Sequence, residues 1–87
     1  AAHLNLGQCL MQLGKLDEAE KHMNRAKDIT PMDAKVYNAI GVLCITRGDA
    51  VRAEDAFKTA LALRPDYQNA RDNLERLKSV TGRQTTP

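Results

Sequence analysis

Aromatic residues are almost missing from this chain of 87 residues: there is no tryptophan, one phenylalanine (Phe57) and two tyrosines (Tyr37 and Tyr67). A protein that holds single-stranded nucleic acid stacks bases on aromatic faces, so this scarcity argues against that class. A formal net charge of only +2, spread along the chain, is equally poor as an electrostatic footprint for phosphate. Two cysteines, Cys9 and Cys44, are too few to build a disulfide-held miniprotein. Long hydrophobic runs are absent too. The longest, Ala39 to Ile45 with Gly41 inside it, falls far short of the ~20 residues that cross a bilayer, so membrane insertion is not expected. No secretory signal opens the chain, and the lack of an initial Met suggests a processed or excised segment. Apolar content of 43% and charged content of 28% fit an ordered chain with one thin core.

Internal repetition is the strongest feature present. Shifting the chain by 34 residues aligns Gly7 with Gly41, Gly14 with Gly48, Ala19 with Ala53, Glu20 with Glu54, Ala26 with Ala60 and Pro31 with Pro65. Chance supplies roughly two identities over such a window. His3/Tyr37, Leu6/Ile40, Met23/Phe57 and Ile29/Leu63 are similar pairs on the same shift. The identities fall mainly on Gly, Ala and Pro, residues that set backbone approach and chain breaks.

Within each unit the apolar spacing is helical. Leu6, Cys9, Leu10 and Leu13 form one stripe, repeated by Tyr37, Ile40 and Cys44. Leu16, Ala19, Met23 and Ala26 form another, answered by Ala50, Ala53, Phe57 and Ala60. Gly14-Lys15 and Gly48-Asp49 leave room only for a tight antiparallel turn. Asp17 and Glu20 have the spacing of a capping box, and Asp33 and Asp66 are placed to cap the helices that follow Pro31 and Pro65. The spacing predicts helices over about 2–14, 17–29, 33–47, 50–63 and 67–80, then a polar frayed tail from Gly82 to Pro87. Gly7 and Gly41 are expected where paired helices come closest, against Ala19 and Ala53.

This order of residues resembles the tetratricopeptide repeat, whose first helix carries aromatic, Leu and Gly positions and whose second carries Ala, Phe, Ala and Pro. Tyr37, Ile40, Gly41, Ala53, Phe57, Ala60 and Pro65 match in the second unit. Leu6, Gly7, Ala19, Ala26 and Pro31 match in the first, with His3 and Met23 in place of two aromatics. The resemblance implies an all-α solenoid of antiparallel helix pairs with about five helices: unit one at 1–33, unit two at 34–67, a capping helix at 68–81 and a flexible tail at 82–87. In the last helix Arg71 and Glu75 stand where the pattern wants an aromatic and a glycine, while Leu74 and Leu77 are kept for the inner side. Two units and a cap are near the lower limit for a stable stack, so excision from a longer array or burial of the open end is expected.

The resemblance further implies a non-enzymatic adaptor whose first helices line a concave groove for a partner peptide or helix. The groove positions are Leu4, Gln8, Met11, Gln12, Lys35, Asn38, Val42, Ile45, Thr46, Asn69, Asp72 and Arg76. Leu4, Met11, Val42 and Ile45 lie off the core stripes and are expected to be partly exposed. The alternative is self-assembly through the uncapped N-terminal face, at His3, Leu6 and Leu10, giving a homo-oligomer. The cationic clamp by which some relatives grip a chaperone's terminal carboxylate is not expected, since Leu4, Gln8, Ala39, Asn69 and Asn73 occupy its sites.

No catalytic, metal or cofactor set can be assembled. His3 replaces a packing aromatic, His22 reads as a solvated surface residue, and both cysteines fall on faces expected to pack inward. No closely spaced Cys/His cluster and no glycine-rich phosphate loop is present. The run Asp17 to Asp28 reads as a solvated outer face with pairs such as Asp17–Lys21. Arg71, Arg76, Lys78 and Arg83 read as a soluble cap, the alternative being a patch for phosphate or an acidic partner. Shielded thiols fit the cytoplasm but do not fix a compartment.

Overall fold

The first four helices end where the sequence removes the means to continue. In the computed structural model, which describes residues 2–81, five helices follow one another: α1 (Ala2–Gln12), α2 (Leu16–Ile29), α3 (Ala34–Thr46), α4 (Ala50–Leu63) and α5 (Gln68–Thr81). The tail expected at 82–87 lies outside the described residues. Gly14 and Gly48 both take φ +83°, a conformation costly for any residue with a Cβ. There the chain reverses, with the Lys15 amide donating to the Leu10 carbonyl at 2.9 Å and the Asp49 amide to Cys44 at 2.8 Å. Thr30 and Arg64, each before a proline, leave the helical region and end α2 and α4.

The caps only partly follow the sequence. Asp33 accepts from the Lys35 amide at 3.0 Å and so caps α3. Asp49 accepts from the Arg52 amide at 3.2 Å and caps α4. The capping box expected from Asp17 and Glu20 does not form: α2 starts one residue earlier than predicted, its N-cap is Lys15, and no side chain caps it. Both carboxylates turn instead to Arg47, Asp17 at 3.1 Å and Glu20 at 3.8 Å, which ties α2 to the end of α3. The expected Asp17–Lys21 pair gives way to this contact. Asp66 lies 3.7 Å from the Arg64 guanidinium.

Antiparallel pairs α1–α2 and α3–α4 stack side by side, and α5 closes on α3 and α4. One core cluster joins Leu4, Ala19, Met23, Ala26, Val36, Ala39 and Leu43 from α1, α2 and α3. A second joins Cys44, Ala53, Phe57 and Leu77 from α3, α4 and α5. A third, Ala34, Ala60 and Ala70, fills the far end. Phe57 and Met23 are the largest fully enclosed side chains, and enclosing each contributes roughly 1.5–3 kcal/mol. They face the two helix glycines. A Cβ at Gly7 would stand 3.0 Å from Met23 Cγ, and one at Gly41 would run into the Phe57 ring. Both glycines therefore lie at close approaches, as their recurrence implies.

One expected stripe is wrong. Cys9 is exposed, not inward-facing, and Leu6 (45%) and Leu13 (71%) are exposed with it; only Leu10 is half-buried. Among the described residues no helix lies against this side of α1, whereas Leu43, one period beyond Cys9, is enclosed by α2. Leu4 departs in the opposite sense: it is buried in the first core cluster, not partly exposed.

Candidate functional site: the inner face of the first helices

α1, α3 and α5 lie in direct contact along one side of the stack, and that side carries most of the predicted groove positions. Gln8, Gln12, Lys35, Ile45, Thr46, Asn69, Asp72 and Arg76 are exposed; Met11, Asn38 and Val42 are half-buried. Leu4 is the exception, because its place in the repeat is a seam between successive inner helices. One period later that place holds Asn38, which accepts at Oδ1 from Nδ2 of Asn73 at 2.9 Å and so links α3 to α5. Two periods on it holds Asp72, which accepts from Gln68 Nε2 at 2.8 Å. Thr46 turns its hydroxyl back to the Val42 carbonyl at 3.0 Å.

Between α3 and α5 the seam opens into an apolar cavity of about 240 Å³ lined by Val42, Ile45, Asn73, Arg76 and Leu77. Ile45 is 42% exposed at its rim and Leu77 is buried in its wall. Asn73 belongs to this cavity although groove spacing did not single it out. Its signal was available, since it stands one period from Ala39 and beside Asp72. α1 and α3 contain no aspartate or glutamate, while α5 carries Asp72 and Glu75; on α2 and α4 the acids are nearly matched by Lys21, Arg25, Lys27, Arg52 and Lys58.

Away from the groove, a smaller cavity of about 140 Å³ lies between α2 and α3, with Glu20, Asn24, Arg47 and Arg52 at its walls and Cys44 on its lining. Burial pushes the Cys44 thiol up, opposed in part by the Arg52 guanidinium. That environment disfavours a thiolate nucleophile. His22, read as solvated, is instead half-buried: its Nδ1 lies 3.3 Å from Nδ1 of His3. The ring centroids are 5.5 Å apart, so the imidazoles meet edge to edge, one nitrogen donating to the other across α1 and α2. Among the described residues no group of three His, Cys, Asp or Glu side chains could hold a metal ion, and no helix is long and apolar enough to cross a membrane.

A family model described as "Tetratricopeptide repeat" matches residues 1–66. The chain is 39% identical over 62 residues to the Cell division cycle protein 16 homolog of Homo sapiens, covering 71% of this chain and 10% of that protein. The Mus musculus protein of the same name matches to the same extent. Tetratricopeptide repeat protein 8 of Caenorhabditis elegans is 34% identical over 82 residues, which is 92% of this chain and 16% of that protein. The chain thus spans a small part of the curated relatives it matches.

Proposed function

This chain belongs to the tetratricopeptide repeat family, a class of protein–protein interaction modules, and on that premise we propose that it is a non-enzymatic scaffold holding a partner's peptide or helix on the inner face of α1, α3 and α5. The observation that carries this reading is the apolar row of half-buried Val42 and exposed Ile45, opening into a cavity edged by Asn73 and Arg76. An apolar floor supplies affinity, and amide and guanidinium groups at its edge fix orientation.

The test is affinity capture from the native source, followed by mass spectrometry, with the parent chain and Ile45→Glu side by side. Ile45 is exposed enough for the variant to keep the parent's helicity and melting temperature while losing the specific partner. Equal recovery by both proteins would refute the groove. Met11→Glu is the weaker probe, since Met11 also packs on the first core cluster.

The exposed side of α1 favours a second reading, self-association. His3 is engaged with His22 and Leu10 packs on the core, so the centre of such a face shifts from His3, Leu6 and Leu10 toward Leu6, Cys9 and Leu13. Leu6→Lys with Leu13→Lys would then dissolve a concentration-dependent species seen in light scattering. A parent chain that stays monomeric at high concentration removes this reading.

A further inference from the structure

We infer that the cavity between α3 and α5 is the specificity pocket of this groove, taking an aliphatic side chain while Arg76 pairs with an aspartate or glutamate side chain beside it in an internal segment of the partner. The inference rests on the groove reading above and adds the chemistry of the ligand. Val42, Ile45 and Leu77 make a wall with no hydrogen-bonding group, and about 240 Å³ accepts a side chain of leucine or methionine size. Arg76 stands at the same cavity, and no carboxylate among the described residues lies within ion-pair reach of it. The acid one turn before it, Asp72, is held by Gln68. Elsewhere Arg47, Arg52 and Arg64 each rest near a carboxylate.

Charge complementarity points the same way. The charged groove positions are Lys35, Arg76 and Asp72, so the inner face carries a small positive excess, with α1 and α3 adding no acid, and this favours an acidic ligand over a basic one. A guanidinium beside an apolar wall gains more from a carboxylate than it would in open water, because the bound aliphatic group excludes solvent from the pair. The Asn38–Asn73 bond fixes one end of the cavity, so the pocket is formed before the ligand arrives.

The experiment pans a random peptide library displayed on phage against the whole chain, against Arg76→Glu and against Ile45→Asp. Selected peptides are then made and titrated by fluorescence anisotropy. Peptides enriched on the parent should pair an aliphatic residue with Asp or Glu within two positions. Their affinity should fall about tenfold or more on Arg76→Glu, which should enrich Lys or Arg at the acidic position instead. Enriched peptides that lose affinity on Ile45→Asp but carry no acid, or ignore the change at Arg76, overturn this inference and leave the groove standing. Failure to enrich any peptide sensitive to Ile45→Asp overturns both. Circular dichroism verifies the fold of each variant, and Arg76→Ala repeats the test without a reversed charge.

Discussion

Replacing Gly41 by alanine adds one methyl group at the tighter of the two helix-glycine contacts. A Cβ there would lie 2.7 Å from Phe57 Cδ1 and 2.8 Å from Cζ, against a ring that is fully enclosed. Two effects oppose each other. Alanine in a helix interior is favoured over glycine by about 1 kcal/mol. Overpacking a closed core costs about 1–3 kcal/mol, and the flat, trapped ring places this site toward the upper end. The clash wins, leaving a net loss of about 1–2 kcal/mol. Melting temperature should fall by about 4–16 °C, taking about 4–8 °C per kcal/mol for a domain of this size.

Gly7→Ala is the internal control. Its new methyl meets Met23 Cγ at 3.0 Å and the Ala19 carbonyl oxygen at 3.4 Å. At 3.0 Å Met23 has to give by only a few tenths of an ångström, far less than the Phe57 ring at Gly41, so the helix gain and the packing cost nearly cancel and stability stays within about 0.5 kcal/mol. Thermal and urea unfolding followed by circular dichroism give both values. Phe57→Leu in the Gly41→Ala background should recover part of the loss, a coupling of about 0.5–3 kcal/mol that independent sites would not show. Gly41→Ala as stable as the parent, or losing no more than Gly7→Ala, would refute the claim that the ring–glycine contact sets the distance between α3 and α4.

Thiol labelling of the folded chain should modify Cys9 rapidly and Cys44 only as fast as the core opens; equal fast rates would contradict the burial of Cys44. Because burial raises the Cys44 thiol in the folded state, its contribution to stability is complete below the ordinary thiol range. As pH rises through and above that range the unfolded chain sheds the proton first and the contribution is lost, which urea titrations across alkaline pH should register as a falling midpoint. Asp33→Ala and Asp49→Ala should each cost about 0.5–2 kcal/mol by uncapping α3 and α4, whereas Lys15→Asp should gain several tenths by giving α2 the cap it lacks. Arg47→Ala should cost no more than about 1 kcal/mol, since its pairs with Asp17 and Glu20 are exposed, and the loss should shrink in salt.

The helices and their turns were legible because the signals that set them are local. Gly14 and Gly48 dictate the reversals by backbone sterics alone, and Pro31 and Pro65 stop the second helices whatever surrounds them. The cap of α2 was misread because a D-x-x-E spacing fits several registers. The repeat itself held the answer, since Asp49 lies one period from Lys15 and not from Asp17. The side of α1 was not legible. Periodicity shows that Leu6, Cys9 and Leu13 share a face, but burial depends on a neighbouring helix, which no spacing within α1 can report. Leu4 has the same cause with the opposite outcome: α3 reaches it across the seam. Repeat spacing puts the proposed groove positions on α1, α3 and α5, but the local chemistry needed three dimensions, because the Asn38–Asn73 bond and the cavity at Arg76 join residues about a full period apart.

The two ends of the stack differ in a way that constrains any self-association. At α5 the positions equivalent to Ala34, Tyr37, Gly41 and Cys44 hold Gln68, Arg71, Glu75 and Lys78. Where Gly41 admits the Phe57 ring, Glu75 presents a charged side chain, so α5 cannot receive a helix in the manner that α3 receives α4. At α1 the exposed face is apolar. A head-to-tail contact between copies would press Leu6 and Leu13 against this charged surface and take its charges out of water at a cost that apolar side chains do not repay. The same face of a second copy matches it, and a face that matches itself closes after two copies instead of propagating. Sedimentation of the chain should therefore end at a dimer if it associates at all, with Cys9 protected from labelling in that dimer; a concentration-dependent ladder of larger species would show that the polar end is not the barrier its residues describe.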